Sequence, residues 1–338
     1  MNAESRRWIN VLDLGVRGRG WIDAAHPYDR LPARAEGLVT DAVWNLSRQS
    51  AGMYVDFRSD ATSLHSRCKL RKPPAEGHEY IKYLDLYCRD AEDRWRWAGV
   101  SRCGFTPSGE TPLIEGLSRE LREWRLYLPL TYDVESLELS FPEGESIEPM
   151  SADPRPPVVI YGTSIVHGCG HPSRPGMAWP SMMARQLDYP VINLGFSGSA
   201  RMEPPLGAIL AELDPAVFVI DPLANMSLEL VEQNARPFLR ELVSARPKTP
   251  LLLIEDRTHA DAWLRPAYRP AQQAKQAAFR AVTDELQAEG FSVRYLPGAR
   301  LIGDDGEGTT DASHPNDLGA ARYADQVRPV LASILGIS

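Results

Sequence analysis

Two rhythms of apolar and polar residues divide the chain. Over the first 150 residues, short runs such as GMYVDF (52–57), YIKYLDLYC (80–88), RWRWAGV (94–100), WRLYLPL (124–130) and LELSF (137–141) alternate with polar turns. Their period is near two, they are rich in Tyr, Trp and Val, and no long amphipathic helix interrupts them, which predicts antiparallel strands. An antiparallel β-sandwich of the jelly-roll kind accommodates many short strands of this type. From residue 157 the apolar runs become continuous: PVVIY (157–161), PVINL (190–194), AVFVID (216–221), PLLLIE (250–255) and SVRYL (292–296). Helical spacing fills the gaps, near 179–187, 205–213, 228–245, 271–287 and 317–335. Strands apolar on both faces and separated by helices imply a parallel sheet covered on each side. The stretch FPEGESIEPMSADPRPP (141–157) has the prolines, glycine and acids of a linker. We therefore expect a β-sandwich domain over 1–150 and an α/β domain over 151–338. No internal repeat, low-complexity segment or coiled-coil heptad is evident.

A parallel sheet also says where to look for chemistry, because ligands sit at the carboxyl ends of its strands. Ser164 follows the first such strand, Gly198 the second and Asn225 the third, while Asp311 and His314 lie between the last strand and the last helix. Acyl transfer needs a nucleophile, a base, a group to orient the base, and donors for the oxyanion. Ser164 fits the first role. His314 can take the hydroxyl proton near neutral pH and return it to the leaving alcohol. Asp311, three residues earlier, can hold the imidazole. The backbone N–H groups of Ser164 and Gly198 and the Asn225 amide can face the oxyanion, with glycine at 198 expected because a closely approached amide tolerates no Cβ. Taken singly these residues have plainer readings: Ser164 as a helix cap, and Asp311 and His314 as turn residues before Asp317 caps the last helix. Their joint occurrence at strand ends favours the catalytic one. Ser197 and Ser199 are rival hydroxyls that we read as local turn formers.

The blocks YGTSIVHG, NLGFSGSARMEP, DPLANM and DASHP resemble the four conserved blocks of the SGNH (GDSL-type) hydrolase superfamily. In that superfamily serine, glycine, asparagine and histidine stand in this order, with aspartate three before the histidine. Ser164, Gly198, Asn225, Asp311 and His314 all match. The resemblance covers about 157–335 and implies a flavodoxin-like α/β/α sandwich. Two blocks depart from the pattern: Gly162-Thr163-Ser164-Ile165 replaces Gly-Asp-Ser-Leu, and Leu223-Ala224-Asn225-Met226 keeps the asparagine but not its acidic neighbour. The stretch YLDLYCRDAEDRWRWAG resembles the "GxDLY" segment of a small β domain that precedes some of these hydrolases. Asp85, Leu86 and Tyr87 match, and Tyr83 stands where the motif has glycine. The resemblance implies a serine esterase acting on short-chain, acetyl-type esters of carbohydrates or small metabolites, with no cofactor. The alternatives are an acyltransferase passing the acyl group to a metabolite hydroxyl and a non-catalytic carbohydrate-binding protein whose sandwich does the binding.

Further side chains fall near the same edge. His167, Cys169 and His171 form an alternating HGCGH triplet, but two glycines and the lack of a second ligand cluster argue against zinc. We expect no metal, with His167 and His171 at the pocket mouth or surface and Cys169 a packing residue. Arg201, Arg257 and His259 join His167 as candidate substrate-binding residues, with Glu255, Trp179 and Tyr268 as further pocket-wall candidates. Trp95 and Trp97 read as sandwich core.

Composition narrows the field. The 338 residues are 43% hydrophobic and 24% charged, as in a soluble chain able to bury a core, and the net charge of −8 argues against a nucleic-acid partner. The basic run Arg67, Lys69, Arg71 and Lys72 reads as solvated surface. The N-terminus has no apolar run of signal length, and the apolar stretches are too short to span a bilayer, so the expectation is a cytoplasmic protein without a membrane partner, with homo-oligomerisation possible. Cys68, Cys88, Cys103 and Cys169 show no CxxC spacing and read as reduced thiols.

Overall fold

In the computed structural model, which describes residues 5–72, 83–104, 110–169 and 172–337, the alternating half of the chain forms antiparallel sheets. Its strands are β1 (Arg6–Asn10), β2 (Val16–Arg17), β3 (Tyr54–Ser59), β4 (Leu64–Leu70), β5 (Tyr83–Arg89), β6 (Trp95–Arg102), β7 (Thr111–Ile114), β8 (Arg122–Tyr127), β9 (Val134–Pro142) and β10 (Ile147–Pro149). One helical turn, α1 (Val11–Leu14), follows β1. Among the described residues one sheet has the order β1-β9-β4-β7 and the other β10-β3-β8-β5-β6, with β2 beside β3. Residues 80–82 of the strand expected at 80–88 lie outside the described residues. Alternation does the sorting. Val55 and Phe57 on β3, Leu84 and Leu86 on β5, Trp124 and Leu126 on β8, and Leu137 and Leu139 on β9 enter one apolar core. Each such side chain contributes about 1.5–3 kcal/mol by leaving water.

Two expectations for this half need correction. Cys68 on β4 and Cys103, just after β6, form a disulfide with Cα atoms 4.8 Å apart across 35 residues of sequence, so these two are not reduced thiols. The sheet sets them side by side, which their spacing does not reveal. Cys88 and Cys169 are free. Trp97 is not core: it is 52% exposed, and its indole N–H donates to Asp85 Oδ1 at 3.1 Å. The basic run is ion-paired surface, with Lys69 on Glu135 at 2.6 Å and Arg71 on buried Asp29 at 2.7 Å.

The chain divides into two compact units. The first spans Met1–Pro32, Arg48–Pro154 and Arg174–Gly176; the second spans Ala33–Ser47, Arg155–Ser173 and Met177–Ser338. In the first unit the "GxDLY" residues receive the excursion at 174–176. Asp85 accepts from the Arg174 guanidinium at 2.9 Å and from the Gly176 N–H at 2.7 Å, and Tyr87 meets the same guanidinium. A Cβ on Gly176 would lie 2.5 Å from the Tyr87 ring, so only glycine fits there.

The second unit holds a short helix α2 (Asp41–Ser47) and a five-stranded parallel sheet of β11 (Val158–Gly162), β12 (Val191–Gly195), β13 (Val217–Asp221), β14 (Leu251–Ile254) and β15 (Val293–Leu296). Its order is β12-β11-β13-β14-β15, the flavodoxin-like arrangement. The connecting helices are α3 (Ser164–His167), α4 (Trp179–Leu187), α5 (Pro204–Leu210), α6 (Leu228–Ala245), α7 (Arg269–Ala288) and α8 (Asp317–Leu335). Successive β11 side chains point to opposite faces. Ile160 packs into the cluster containing Trp179 of α4 and Tyr323 of α8, whereas the Tyr161 ring stacks on Phe238 of α6 at 5.0 Å. Asn316, not Asp317, caps α8, accepting the Gly319 N–H at 3.0 Å; Asp317 instead accepts the Ser173 N–H. No helix among the described residues is long and apolar enough to cross a membrane.

Candidate active site

Because β11 lies between β12 and β13, the loop after β11 is flanked by the loops that carry Gly198 and Asn225. Ser164 opens α3. Thr163, rather than Ser164, caps this turn, its hydroxyl accepting the Ile165 N–H at 3.3 Å. The Ser164 hydroxyl is thereby left for His314, with Oγ to Nε2 at 2.8 Å. The other ring nitrogen, Nδ1, lies 2.7 Å from Asp311 Oδ2.

The turn holding these two residues is closed on itself. Asp311 Oδ1 accepts the N–H groups of Ser313 at 3.0 Å and His314 at 2.7 Å. Ala312, between them, has φ +69°, in the left-handed region that side chains other than glycine rarely adopt. Burial works to raise the Asp311 pKa, but the hydrogen bonds from the His314 backbone and ring and the Ser313 N–H, with the His314 charge, hold it at about 2. Asp311 is therefore an anion throughout the neutral pH range. An imidazole held between a hydroxyl and a fixed carboxylate can withdraw the hydroxyl proton and bear the resulting charge.

Strand residues position the neighbouring loops. Buried Asn193 of β12 donates to the Val166 carbonyl of α3 at 2.7 Å, and the Tyr161 hydroxyl of β11 accepts the Met202 N–H at 2.9 Å. Gly198 has φ +69°, and a Cβ there would meet nothing within 4 Å. The backbone conformation here favours glycine, and no protein atom crowds the position. Asn225 ends a short 3-10 turn, Leu223–Asn225, and its carboxamide oxygen makes no hydrogen bond among the described residues.

Among the remaining candidates, His167 and Arg257 are displaced from substrate contact. His167 is fully buried at the end of α3 and lines no mouth, and His171 lies outside the described residues. Arg257 is 3% exposed and holds Asp256 and both the carbonyl and hydroxyl of Ser313, one residue before His314. Glu255 accepts from the Tyr295 hydroxyl and the Gly298 N–H, each at 2.8 Å, and is structural. Arg201 is exposed and donates to the Gly198 carbonyl at 3.2 Å. His259 is half-buried; burial, and then the Arg257 charge, lower its pKa, so its ring is neutral near pH 7. Trp179 and Cys169 line a space of about 10 Å³ beside Ser164 and His314, together with Pro172 and Pro315.

One buried carboxylate was not singled out by sequence. Asp256, 2% exposed, pairs with Arg257 and with Lys275 Nζ at 2.6 Å. Burial opposes its ionisation, but the charges of Arg257 and Lys275 prevail and lower its pKa. Arg257 reaches Ser313, and Lys275 donates at 2.8 Å to the Leu223 carbonyl, two residues before Asn225. A single anion thus ties down both the turn that carries His314 and the turn that carries Asn225. Only the acidic and basic letters after the fourth strand hinted at it.

A 2-1-3-4-5 parallel sheet bearing Ser164, His314 and Asp311 at its strand ends defines a hydrolase of the SGNH kind. The chain belongs to the GDSL-like lipase/acylhydrolase family, whose sequence model matches residues 155–332, and residues 6–147 match the GxDLY N-terminus of SGNH hydrolase-type esterases. It is a hydrolytic enzyme of that family. No curated protein matches the chain in sequence. Among solved structures, a GDSL-like lipase from Bacteroides ovatus is similar over 99% of both chains, at 26% identity and TM-score 0.92. A salicylyl-acyltransferase from a tetracycline biosynthetic pathway shares the fold over 98% of both chains at 20% identity and TM-score 0.80. A family two carbohydrate esterase from Cellvibrio japonicus does so over 99% of both at 13% identity and TM-score 0.65.

Proposed function

We propose that the protein is a serine esterase that removes short, acetyl-type acyl groups from hydroxyls of carbohydrates or small metabolites. The observation that carries this reading is the unbroken line from Ser164 Oγ through the His314 ring to Asp311, at 2.8 Å and 2.7 Å. His314 takes the Ser164 proton as Oγ bonds to the ester carbonyl carbon. The oxyanion is met by the N–H groups of Ser164 and Gly198 and the Asn225 amide, each such donor being worth about 2.7–4 kcal/mol of transition-state stabilisation. The alcohol departs with the proton from His314, leaving an acyl group on Ser164. Water then attacks, giving its proton to His314, and the acid leaves as Ser164 regains a hydrogen. A carbohydrate esterase and a salicylyl-acyltransferase share the fold, so the substrate is chosen by side chains and not by the fold.

Ser164→Ala tests the reading. Turnover of a panel of short-chain esters should fall by at least about 10⁴-fold with an unchanged far-UV spectrum; full activity in the variant would remove Ser164 from the reaction. Product analysis with hydroxyl acceptors present should give free acid alone, whereas an acylated acceptor would make the enzyme an acyltransferase.

A further inference from the structure

The reacting groups leave the larger part of a substrate unaccounted for, since the space beside Ser164 has room for about one water-sized group. A second cavity, of about 410 Å³, opens in the same unit between the start of α6, the segment after β14 and the first turns of α7. Met226, Leu228, Ala262, Tyr268, Ala271 and Ala274 give it apolar walls. Its position follows from its borders. Met226 is the residue after Asn225, and the segment carrying His259 and Ala262 is joined to the His314 turn by the Ala260 N–H donating to the Ala312 carbonyl at 3.0 Å. The cavity therefore lies between the segment of the oxyanion asparagine and that of the general base.

Its polar groups separate into two kinds. Gln272 donates to the Arg257 carbonyl, Lys275 to Asp256 and the Leu223 carbonyl, and the Ser227 hydroxyl accepts the Leu230 N–H. All four of these side chains, Asp256 included, are committed to the fold. His259 is different: its ring makes no hydrogen bond to any described residue, and burial keeps it neutral, with one N–H donor and one acceptor nitrogen. Apolar walls with few uncommitted polar groups, here the His259 ring and the exposed Tyr268 hydroxyl, are the pattern of a small-molecule site, and the volume exceeds that of cavities which enclose a benzene ring.

We propose that this cavity is the subsite for the alcohol part of the ester, and that the alcohol is an apolar, ring-bearing metabolite which hydrogen-bonds His259. This rests on the esterase reading above and narrows it, away from unadorned sugars. The alcohol side is indicated because the segment that lines the cavity at His259 and Ala262 is hydrogen-bonded through Ala260 to the turn of His314, which must protonate the departing oxygen.

Binding and turnover test it separately, using the full-length protein with 2-phenylethanol as the alcohol and 2-phenylethyl acetate and ethyl acetate as esters. Calorimetry should show 2-phenylethanol binding to the wild type, weakened at least tenfold by Ala274→Phe and by Ala271→Trp, which fill the cavity from α7. The kcat/KM preference for 2-phenylethyl over ethyl acetate should fall at least tenfold in the same variants and in His259→Ala. Melting curves identify any variant that fails to fold, and two filling sites guard against that outcome. Equal 2-phenylethanol affinity in wild type and a folded filled variant, or an unchanged ester preference, overturns the subsite. Binding that responds to filling in a protein that turns over neither ester would overturn the esterase reading and leave the cavity as an alcohol site.

Discussion

Asp311 accepts two N–H groups with one oxygen and faces the imidazole with the other, so its charge and its geometry can be separated by mutation. Asparagine at 311 can still accept both backbone bonds through its carbonyl. It would then present an NH2 group to Nδ1, favouring the tautomer that has no lone pair at Nε2 for the Ser164 proton. Asp311→Asn should lower kcat by about 10³–10⁴-fold while shifting the melting temperature little; comparable kcat in the variant would show that the carboxylate is dispensable. The pH behaviour has a definite sign. With a folded pKa of about 2, below the ordinary 3.8, the stability this group contributes is present above the ordinary value and is lost as pH falls towards 2. At this scale sequence was informative where chemistry restricts residue type, which is why Ser164, Asp311 and His314 could be picked out. It misled where burial decides. His167 and Arg257 have letters suited to substrate contact, but their side chains face inward, and exposure is a property of the packed chain.

The element after β14 shows how a site is held from outside itself. Arg257, anchored by Asp256, bonds both polar atoms of Ser313, while Lys275 from α7 shares the same anion and grips the turn before Asn225. Replacing Arg257 by methionine leaves Asp256 buried with Lys275 as its one cation, so the cost should fall below the ~3–5 kcal/mol typical of a buried charge left with none. Arg257→Lys separates the two roles, because it retains the charge but not the forked contact with Ser313. We expect Arg257→Met to lower both the melting temperature and kcat. Arg257→Lys should recover most of the stability yet keep kcat about tenfold down, with KM little changed. A lysine variant with normal kcat would make the arginine purely structural. The strands and helices of this unit were legible because period and apolar run length report burial directly; the helix expected at 317–335 is α8. The anion clamp was not, since its links join residues 256 to 275 and, through Arg257, to 313, and no local pattern connects them.

For the whole chain, the prolines of 141–157 marked a change of rhythm, but not which segments pack together. Ala33–Ser47 clusters with the α/β unit and Arg174–Gly176 with the sandwich unit, and neither stretch differs in composition from its surroundings. The same kind of non-local closure gives the sandwich its disulfide. Bridging Cys68 and Cys103 closes 35 residues, which in the chain-entropy account removes about 4 kcal/mol of unfolded-state freedom. That is a large share of the stability of an ordinary domain. The sequence predicts a cytoplasmic protein with reduced thiols, whereas the Cys68–Cys103 bond makes redox state a variable of this protein's stability. Because a two-unit chain need not unfold in one step, a single melting point would blur the effect. Hydrogen exchange read by segment resolves it. Adding a thiol reductant, or replacing Cys68 and Cys103 by serine, should reduce amide protection across β3–β9, whose core the bond adjoins, and leave β11–β15 at their original values. Unchanged protection in β4 and β6 after reduction would mean that the apolar core alone fixes these strands, and that the bond adds nothing the packing of Phe57, Trp124 and Leu139 does not already supply.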